Sequence, residues 1–137
     1  MWYMNRLFMD KKEFSQIRHY LGKTQNQLAQ LLGSSPKAVQ SFEQGWRRIS
    51  VHAERQMLFL LALKDYSRQK NRPCWRIRNC PKEIERNCPA WEFRAGYLCW
   101  FINGTICQGK VQASWQNKMK LCRQCEVFRS LLLSVRV

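Results

Sequence analysis

The distribution of cysteine constrains this chain most. All seven cysteines lie in the second half of the 137 residues, and none lies in the first half. They are Cys74, Cys80, Cys88, Cys99, Cys107, Cys122 and Cys125. In a reducing compartment clustered thiols indicate metal binding rather than disulfides, and an odd number would leave one thiol outside any disulfide framework. The second half is therefore expected to fold around its thiols.

The charge balance predicts a polyanionic partner. Lys and Arg total 24 against 9 Asp and Glu, which gives a net charge of +15 shared by both halves of the chain. Such a field attracts nucleic acid. The N-terminal stretch Met1 to Met9 contains Asn5 and Arg6 and lacks a secretory apolar core. The longest apolar run, Met57 to Leu63, is too short to span a bilayer. We expect a cytoplasmic protein that does not span a membrane.

Helix start and stop signals organise the first half. Thr24 is a good N-cap for a helix over Gln25 to Leu32, and Gly33 is a typical stop. Ser34 or Ser35 then caps a helix with Pro36 at its first position, and Gly45 ends it. An earlier helix ends at Gly22, and a fourth is predicted over about Val51 to Tyr66. Two short helices joined by so tight a turn are typical of major-groove readers.

The residues from 11 to 50 resemble a known family. The pattern Thr24-Gln25-x-x-Leu28-Ala29-x-x-Leu32-Gly33, followed by Val39 and Phe42-Glu43-x-Gly45, is similar to the Cro-repressor (Xre-type) helix-turn-helix of bacterial and phage regulators. The resemblance implies an internal salt bridge between Arg18 and Glu43. The chain departs from the family pattern at Pro36, which stands where a polar residue is often found and so removes one possible base contact.

The same resemblance implies a set of DNA-binding residues. Positions at or near the base-facing side are matched by Ser35, Lys37, Ala38 and Ser41, with Gln40 beside them, and a phosphate-contacting position is matched by Gln25. Arg47 and Arg48 follow the recognition helix, and their charge can neutralise phosphates. The alternative for Lys37 is a phosphate contact. The alternative for Gln40 and Ser41 is simple solvent exposure. A helix-turn-helix reused for protein contacts is the alternative for the whole half.

The second half is set off by the polar, basic segment Ser67 to Arg72 and by Pro73. The predicted domains are therefore residues 1–68 and 73–137. Among the cysteines, only Cys122 and Cys125 form a CxxC pair, whose spacing predicts that both are metal ligands. Cys107 is the cysteine expected to be left over if the number of ligands is even. Both histidines, His19 and His52, lie in the first half, so any metal is expected to be bound by sulfur alone.

All-thiolate sites favour zinc or iron–sulfur. A structural zinc ribbon usually has two CxxC knuckles, and this chain has one. The dipeptides Cys80-Pro81 and Cys88-Pro89 are similar to the Cys-Pro that closes ferredoxin cluster motifs. Four tryptophans, Trp75, Trp91, Trp100 and Trp115, would form an apolar shell or simply a small core. An iron–sulfur cluster, of the [4Fe–4S] type, is the cofactor expected, with zinc as the alternative.

Nearly all of residues 74–128 resemble a second group. Cys74-Trp75-x4-Cys80, Cys88-Pro89-Ala90, Cys99-Trp100, Gly104-Thr105-x-Cys107 and Cys122-x2-Cys125-Glu126-x-Phe128 are similar to the cysteine-rich "two-CW" modules of bacterial sensors and regulators. The resemblance implies a sensory module. Arg76 departs from it, because an acidic residue often follows the Cys-Trp pair there.

These observations predict a mainly α protein. We expect an N-terminal helix-turn-helix bundle of four to five helices, joined to a small cysteine-rich metal-binding domain. The expected function is that of a DNA-binding transcriptional regulator, acting as a homodimer on double-stranded DNA, with an iron–sulfur domain that responds to redox state, oxygen or iron. The alternatives are a zinc-stabilised DNA-binding protein without sensing and an antitoxin-like protein-interaction adaptor. No paired carboxylates, nucleophile–base pair or phosphate loop is visible, so an enzyme is not expected.

Overall fold

A computed structural model describes residues 8–69, 72–133 and 135. The chain is mainly helical and carries one small two-stranded sheet, as the sequence predicts for its fold class. In order, the elements are α1 (Lys11–Tyr20), α2 (Gln25–Leu32), α3 (Pro36–Gln44), α4 (Val51–Lys64), α5 (Tyr66–Gln69), α6 (Cys74–Ile77), α7 (Lys82–Asn87), α8 (Pro89–Glu92), β1 (Thr105–Cys107), β2 (Lys110–Gln112), α9 (Trp115–Cys122) and α10 (Glu126–Leu133).

Local sequence signals set the bounds of the early helices. Thr24 and the side chain of Gln27 form a reciprocal capping box at the start of α2, and Ser35, rather than Ser34, caps α3. Gly33 and Gly45 end these two helices in the left-handed conformation, as expected of glycine after a last helical turn. The fourth helix, α4, ends at Lys64, slightly before the predicted Tyr66.

The first four helices enclose an apolar core. The side chains of Phe14, Ile17, Leu28, Val39 and Met57 are fully buried there. Phe14 also meets Phe42 edge-on, with ring centroids 5.6 Å apart, so α1 and α3 are joined through aromatic packing.

The second half consists of short helices and the β1–β2 hairpin, arranged around Trp100. This tryptophan is 1% exposed and meets Trp115 and Phe128 edge-on. The strands pair antiparallel with Cys107 opposite Lys110. Gln108 and Gly109 between them both have positive φ, as a two-residue type I′ turn requires.

The two halves pack against each other. One hydrophobic core continues from the α1–α4 bundle to the residues around Trp100. Arg55 of α4 donates to the Phe101 carbonyl at 2.9 Å and lies over the Phe101 ring. The predicted hinge, Ser67 to Arg72, is helical up to Gln69, and its residues 70 and 71 lie outside the described residues. Within the described ranges, no helix is long and apolar enough to cross a membrane.

Candidate nucleic-acid interface and candidate metal centre

The turn between α2 and α3 is short because each side of it is closed by its own cap. The Gly33 amide donates to carbonyls of α2, and the Ser35 hydroxyl accepts from the Ala38 amide at 3.1 Å. Leu32 is buried beside this turn and Leu31 is exposed. The start of α3 is therefore held firmly on the outside of the bundle.

The predicted DNA-binding residues of α3 separate by burial. Lys37 and Gln40 are exposed, Ser35 is exposed at the cap, and Ser41 is half-buried. Ala38 is only 9% exposed, so its methyl group faces the core and presents little surface. The exposed edge of α3 thus carries an ammonium, an amide and hydroxyl groups, which are the groups that hydrogen-bond base edges.

Glu43 joins three helices by hydrogen bonds. Arg18 of α1 donates to its carboxylate at 2.7 Å, which is the ion pair implied by the resemblance to Xre-type proteins. Gln25, the first residue of α2, donates to the other carboxylate oxygen at 2.7 Å. Burial acts to raise the pKa of Glu43, but the hydrogen bonds from Arg18 and Gln25 outweigh it and lower that pKa. The amide of Gln25 is thus already engaged inside the protein.

Residues after α3 form a basic, partly aromatic edge. Arg47 and Arg48 are both exposed, and the Arg48 guanidinium lies over the Phe8 ring, 4.6 Å from its centroid. Trp46, which lies between Gly45 and Arg47 in the sequence, is 74% exposed. Sequence reasoning did not single out Trp46, because an aromatic residue beside a helix end is usually part of the core.

Five of the seven cysteines line one cavity of about 280 Å³, and all seven are free thiols. We call the five the cavity cysteines: Cys74, Cys80, Cys88, Cys99 and Cys107. The remaining wall is mostly apolar and includes Trp75 and Trp91, whose rings meet edge-on with centroids 4.9 Å apart. An apolar lining that carries several sulfur donors is suited to holding a metal group.

Short-range contacts hold the cavity cysteines in place. The Cys74 amide donates to the Gly96 carbonyl at 3.0 Å. Gly96 has no room for a side chain, because a Cβ there would lie 2.5 Å from that of Pro73. The Cys88 sulfur accepts from the Ile106 amide of β1 at 3.3 Å, which ties the start of α8 to the hairpin.

The thiols also act on one another electrostatically. A hydrogen bond from Cys99 lowers the pKa of Cys74, and the same bond together with burial raises the pKa of Cys99. Burial raises the pKa of Cys107, and it raises the pKa of Cys122 to about 12. Nearby charges on other cysteines also raise the pKa values of Cys99, Cys107 and Cys122, so these thiols influence one another.

The CxxC pair lies beside the cavity rather than on its wall. Cys122 ends α9 and is buried, whereas Cys125 precedes α10 and is half-buried. Arg78, which lines the cavity, donates to the Cys125 sulfur at 3.9 Å. Cys107, expected from the sequence to be the leftover thiol, lies on the cavity wall. Within the described ranges, no three His, Cys, Asp or Glu side chains are grouped closely enough to hold a single metal ion.

A buried ion-pair network connects the CxxC segment to the first four helices. Arg123 is 4% exposed and donates to both carboxylate oxygens of Glu13 on α1, at 2.8 and 3.1 Å. It also donates to Glu54 of α4 at 3.2 Å, and Trp115 donates to Glu54 at 3.1 Å. Burial raises the pKa of Glu54 despite these donors. Sequence reasoning missed this network, because nothing local marks Arg123 as buried.

Comparison with known proteins found no matching family model, no matching curated protein and no matching solved structure.

Proposed function

We propose that the protein is a DNA-binding transcriptional regulator whose cysteine-rich half holds an iron–sulfur cluster of the [4Fe–4S] type. The observation that carries this proposal is a cavity with five thiols on its wall, in a chain whose α2–α3 helix pair exposes basic and polar side chains. The proposal includes an Xre-like helix-turn-helix over residues 1–68 and a two-CW-like module over residues 73–137.

The α2–α3 unit supports the DNA-binding part. Lys37 and Gln40 are exposed on α3, and Arg47 and Arg48, which follow that helix, are exposed as well. An ammonium and an amide can read base edges in the major groove, while guanidinium groups neutralise phosphates. We assign Lys37, Gln40 and Ser41 to base contacts, and Arg47 and Arg48 to phosphates.

Gln25 is the remaining phosphate contact of the proposal. Its amide group already donates to Glu43, which fixes the side chain at the N-terminus of α2. The second N–H of that amide and the backbone amides of the first turn remain suited to a phosphate.

The donor set supports the cluster. A cubane cluster takes one thiolate at each iron, so its ligands must stand around a cavity rather than converge on one point. The cavity cysteines are arranged in that way, and the apolar wall would limit solvent access. Cys122 and Cys125 are the further candidates beside the cavity. When bound, such a cluster would supply a one-electron redox change and sensitivity to oxygen or iron supply.

Arg123 offers a route between the two parts. It lies between Cys122 and Cys125 in sequence, and its guanidinium is bonded to α1 and α4 of the DNA-binding half. A change in the CxxC segment on cluster loss would therefore act directly on α4 and on α1, which packs against α3. Such a coupling gives a sensory module a physical means to alter DNA binding.

The partners proposed are double-stranded DNA and a second copy of the chain, in the cytoplasm. We propose that the apolar stretch from Met57 to Leu63 serves both the core and a dimer interface. Met57, Leu58 and Leu61 are fully buried within the chain, and Leu63 is 47% exposed. The dimer therefore stays a prediction, to be measured by light scattering of the free and DNA-bound protein.

Zinc remains the second candidate metal, because a site made of thiolates alone also suits zinc. The two metals are distinguished by anaerobic purification followed by metal and acid-labile sulfide assays and an absorption spectrum. We expect iron and sulfide in equal amounts and broad visible absorption, with operator binding that changes after oxidation. Stoichiometric zinc without sulfide would contradict the cluster. Partner-protein binding that persists while no selected DNA is bound would favour the adaptor.

A further inference from the structure

Lys118 is a charged side chain whose burial the fold alone does not explain. It lies on α9, one turn before Cys122, and its side chain is fully buried. Its ammonium donates to the hydroxyl of Thr105, which is also fully buried. Within the described ranges it forms no ion pair with a carboxylate. A buried ammonium satisfied by one neutral hydroxyl is costly unless a negative charge lies near it.

The nearest groups that can become anionic around Lys118 are the cysteines at the cavity, which carry negative charge only as thiolates. Thr105 lines the cavity and is two residues from Cys107, so the ammonium stands directly behind the cavity wall. Its charge acts to lower the pKa values of Cys74, Cys107 and Cys122, which opposes the effect of burial at each of them. Of the other charged side chains at the cavity, Arg78 and Glu85 are opposite in sign and offset each other. The ammonium of Lys118 is therefore the positive charge near the cavity that no carboxylate among the described residues offsets.

We infer that the cavity is built for an anionic occupant and that Lys118 is the positioning residue that supplies its counter-charge. This inference rests on the proposed function, since a cubane cluster held by four thiolates is an anionic group. Lys118 would not bind the cluster itself. It would stabilise the more negative, reduced state and so set the reduction potential.

The test compares reduction potentials in full-length protein reconstituted anaerobically with ferrous iron and sulfide. Two variants remove the charge: Lys118→Met removes the hydrogen bond as well, and Lys118→Gln retains a donor for Thr105. Thr105→Val removes the bond and keeps the charge. Lys120→Met removes an exposed ammonium from the same helix and is the matched control.

We expect both Lys118 variants to shift the potential to more negative values. At a fixed solution potential the ratio of reduced to oxidised protein should fall at least tenfold, which is about 59 mV for a one-electron couple. Thr105→Val and Lys120→Met should change it far less. A potential in Lys118→Met and Lys118→Gln equal to that of the unaltered protein would overturn the inference, as would an equal shift in Thr105→Val.

Failure of the proposed function gives a different result. In that case the unaltered protein takes up no iron and sulfide, and zinc becomes the probe. A zinc ion held by several thiolates is also an anionic centre, so Lys118→Met and Lys118→Gln should weaken zinc binding at least tenfold in competition with a chelator. Unchanged zinc affinity in both variants, with helical content retained in circular dichroism, would overturn the counter-charge as well.

Discussion

At the scale of single residues, Glu43 shows how one carboxylate can position a binding surface. Arg18 and Gln25 both donate to it at 2.7 Å, so α1, α2 and α3 are fixed to one another at the base of the exposed α3 edge. The side chain of Glu43 is 8% exposed, which keeps solvent screening low. The geometry of α3 therefore depends on the charge of one side chain.

Glu43 predicts a pH dependence of stability. Its folded-state pKa is lowered from the ordinary 4.5, so its contribution is fully present above that value and is lost as the pH falls through the folded pKa. We expect Glu43→Gln to lower the free energy of unfolding by about 2 kcal/mol at neutral pH, and by less as the pH falls below 4.5. Urea denaturation over a pH series measures it. A difference between the two proteins that stays constant across the series would contradict the assignment.

Lys37 and Arg47 predict two kinds of DNA contact. Loss of a base contact in Lys37→Ala should cost about 1–3 kcal/mol at one base pair of a selected operator and leave other positions unchanged. Arg47→Ala should weaken binding to all sequences and reduce the salt slope by about one unit. Titrations at several salt concentrations measure both, with Lys82→Ala, an exposed lysine on α7, as the control. Two variants that bind like the unaltered protein would contradict the interface.

At the scale of elements, the cysteine-rich half has little regular structure of its own. Its helices α6, α7 and α8 span four to six residues each, and the strands span three. Elements this short bury too little apolar surface to be stable alone, so the packing around Trp100 and any bound metal must contribute. The hairpin and α8 are held together at Cys88, where a thiol replaces the usual backbone acceptor.

The positions of the cysteines predict which serine variants lose bound iron. Cys74→Ser/Cys88→Ser should abolish iron binding, because it removes two thiols from the cavity wall. Cys122→Ser/Cys125→Ser should also lower the iron content and loosen residues 73–137, measured by metal assay and limited proteolysis. Full iron in the second double variant alone would restrict the ligands to the cavity cysteines. Full iron and a protease-resistant C-terminal half in both variants would contradict a metal site formed by these cysteines.

At the scale of the whole molecule, a buried ion-pair network joins the two halves. Arg123 faces two carboxylates, Glu13 and Glu54, and its Nε is buried without a partner among the described residues. The Trp115 indole and the Met9 backbone amide also donate hydrogen bonds to Glu54. Buried ion pairs add little net stability but are costly to break, so this network fixes the relative orientation of the halves.

Arg123→Met should therefore destabilise the whole chain. Leaving Glu13 and Glu54 buried without a cation should cost about 3–5 kcal/mol in the free energy of unfolding. Arg123→Met combined with Glu13→Gln and Glu54→Gln should recover part of that loss, since no charge then remains uncompensated. Arg129→Met, an exposed arginine on α10, is the control and should change stability by about 0.5 kcal/mol at most. Denaturant titration of the four proteins gives the comparison. A loss in Arg123→Met no larger than in the control would contradict the network.

What the sequence determined by itself was local. Thr24, Gly33, Ser35 and Gly45 mark the bounds of α2 and α3 because caps and left-handed stops involve residues within one turn of each other. The helix α10 also follows a local signal, because Val127, Phe128, Leu131 and Leu132 recur at helical spacing and are buried. The same start and stop signals indicated a mainly helical chain, and the cysteine positions indicated a thiol-rich second half.

Only the tertiary structure decided which distant groups meet. Arg123 and Glu13 are separated by 110 residues, and neither carries a sequence signal of burial. The same holds for Lys118 behind the cavity and for Cys107 on its wall, which the spacing had ranked last. Spacing counts residues along the chain, whereas a cavity wall is assembled from α6, α8 and the hairpin by side-chain packing. Which thiols share a wall is therefore determined by the core around Trp100, and no count along the sequence contains that information.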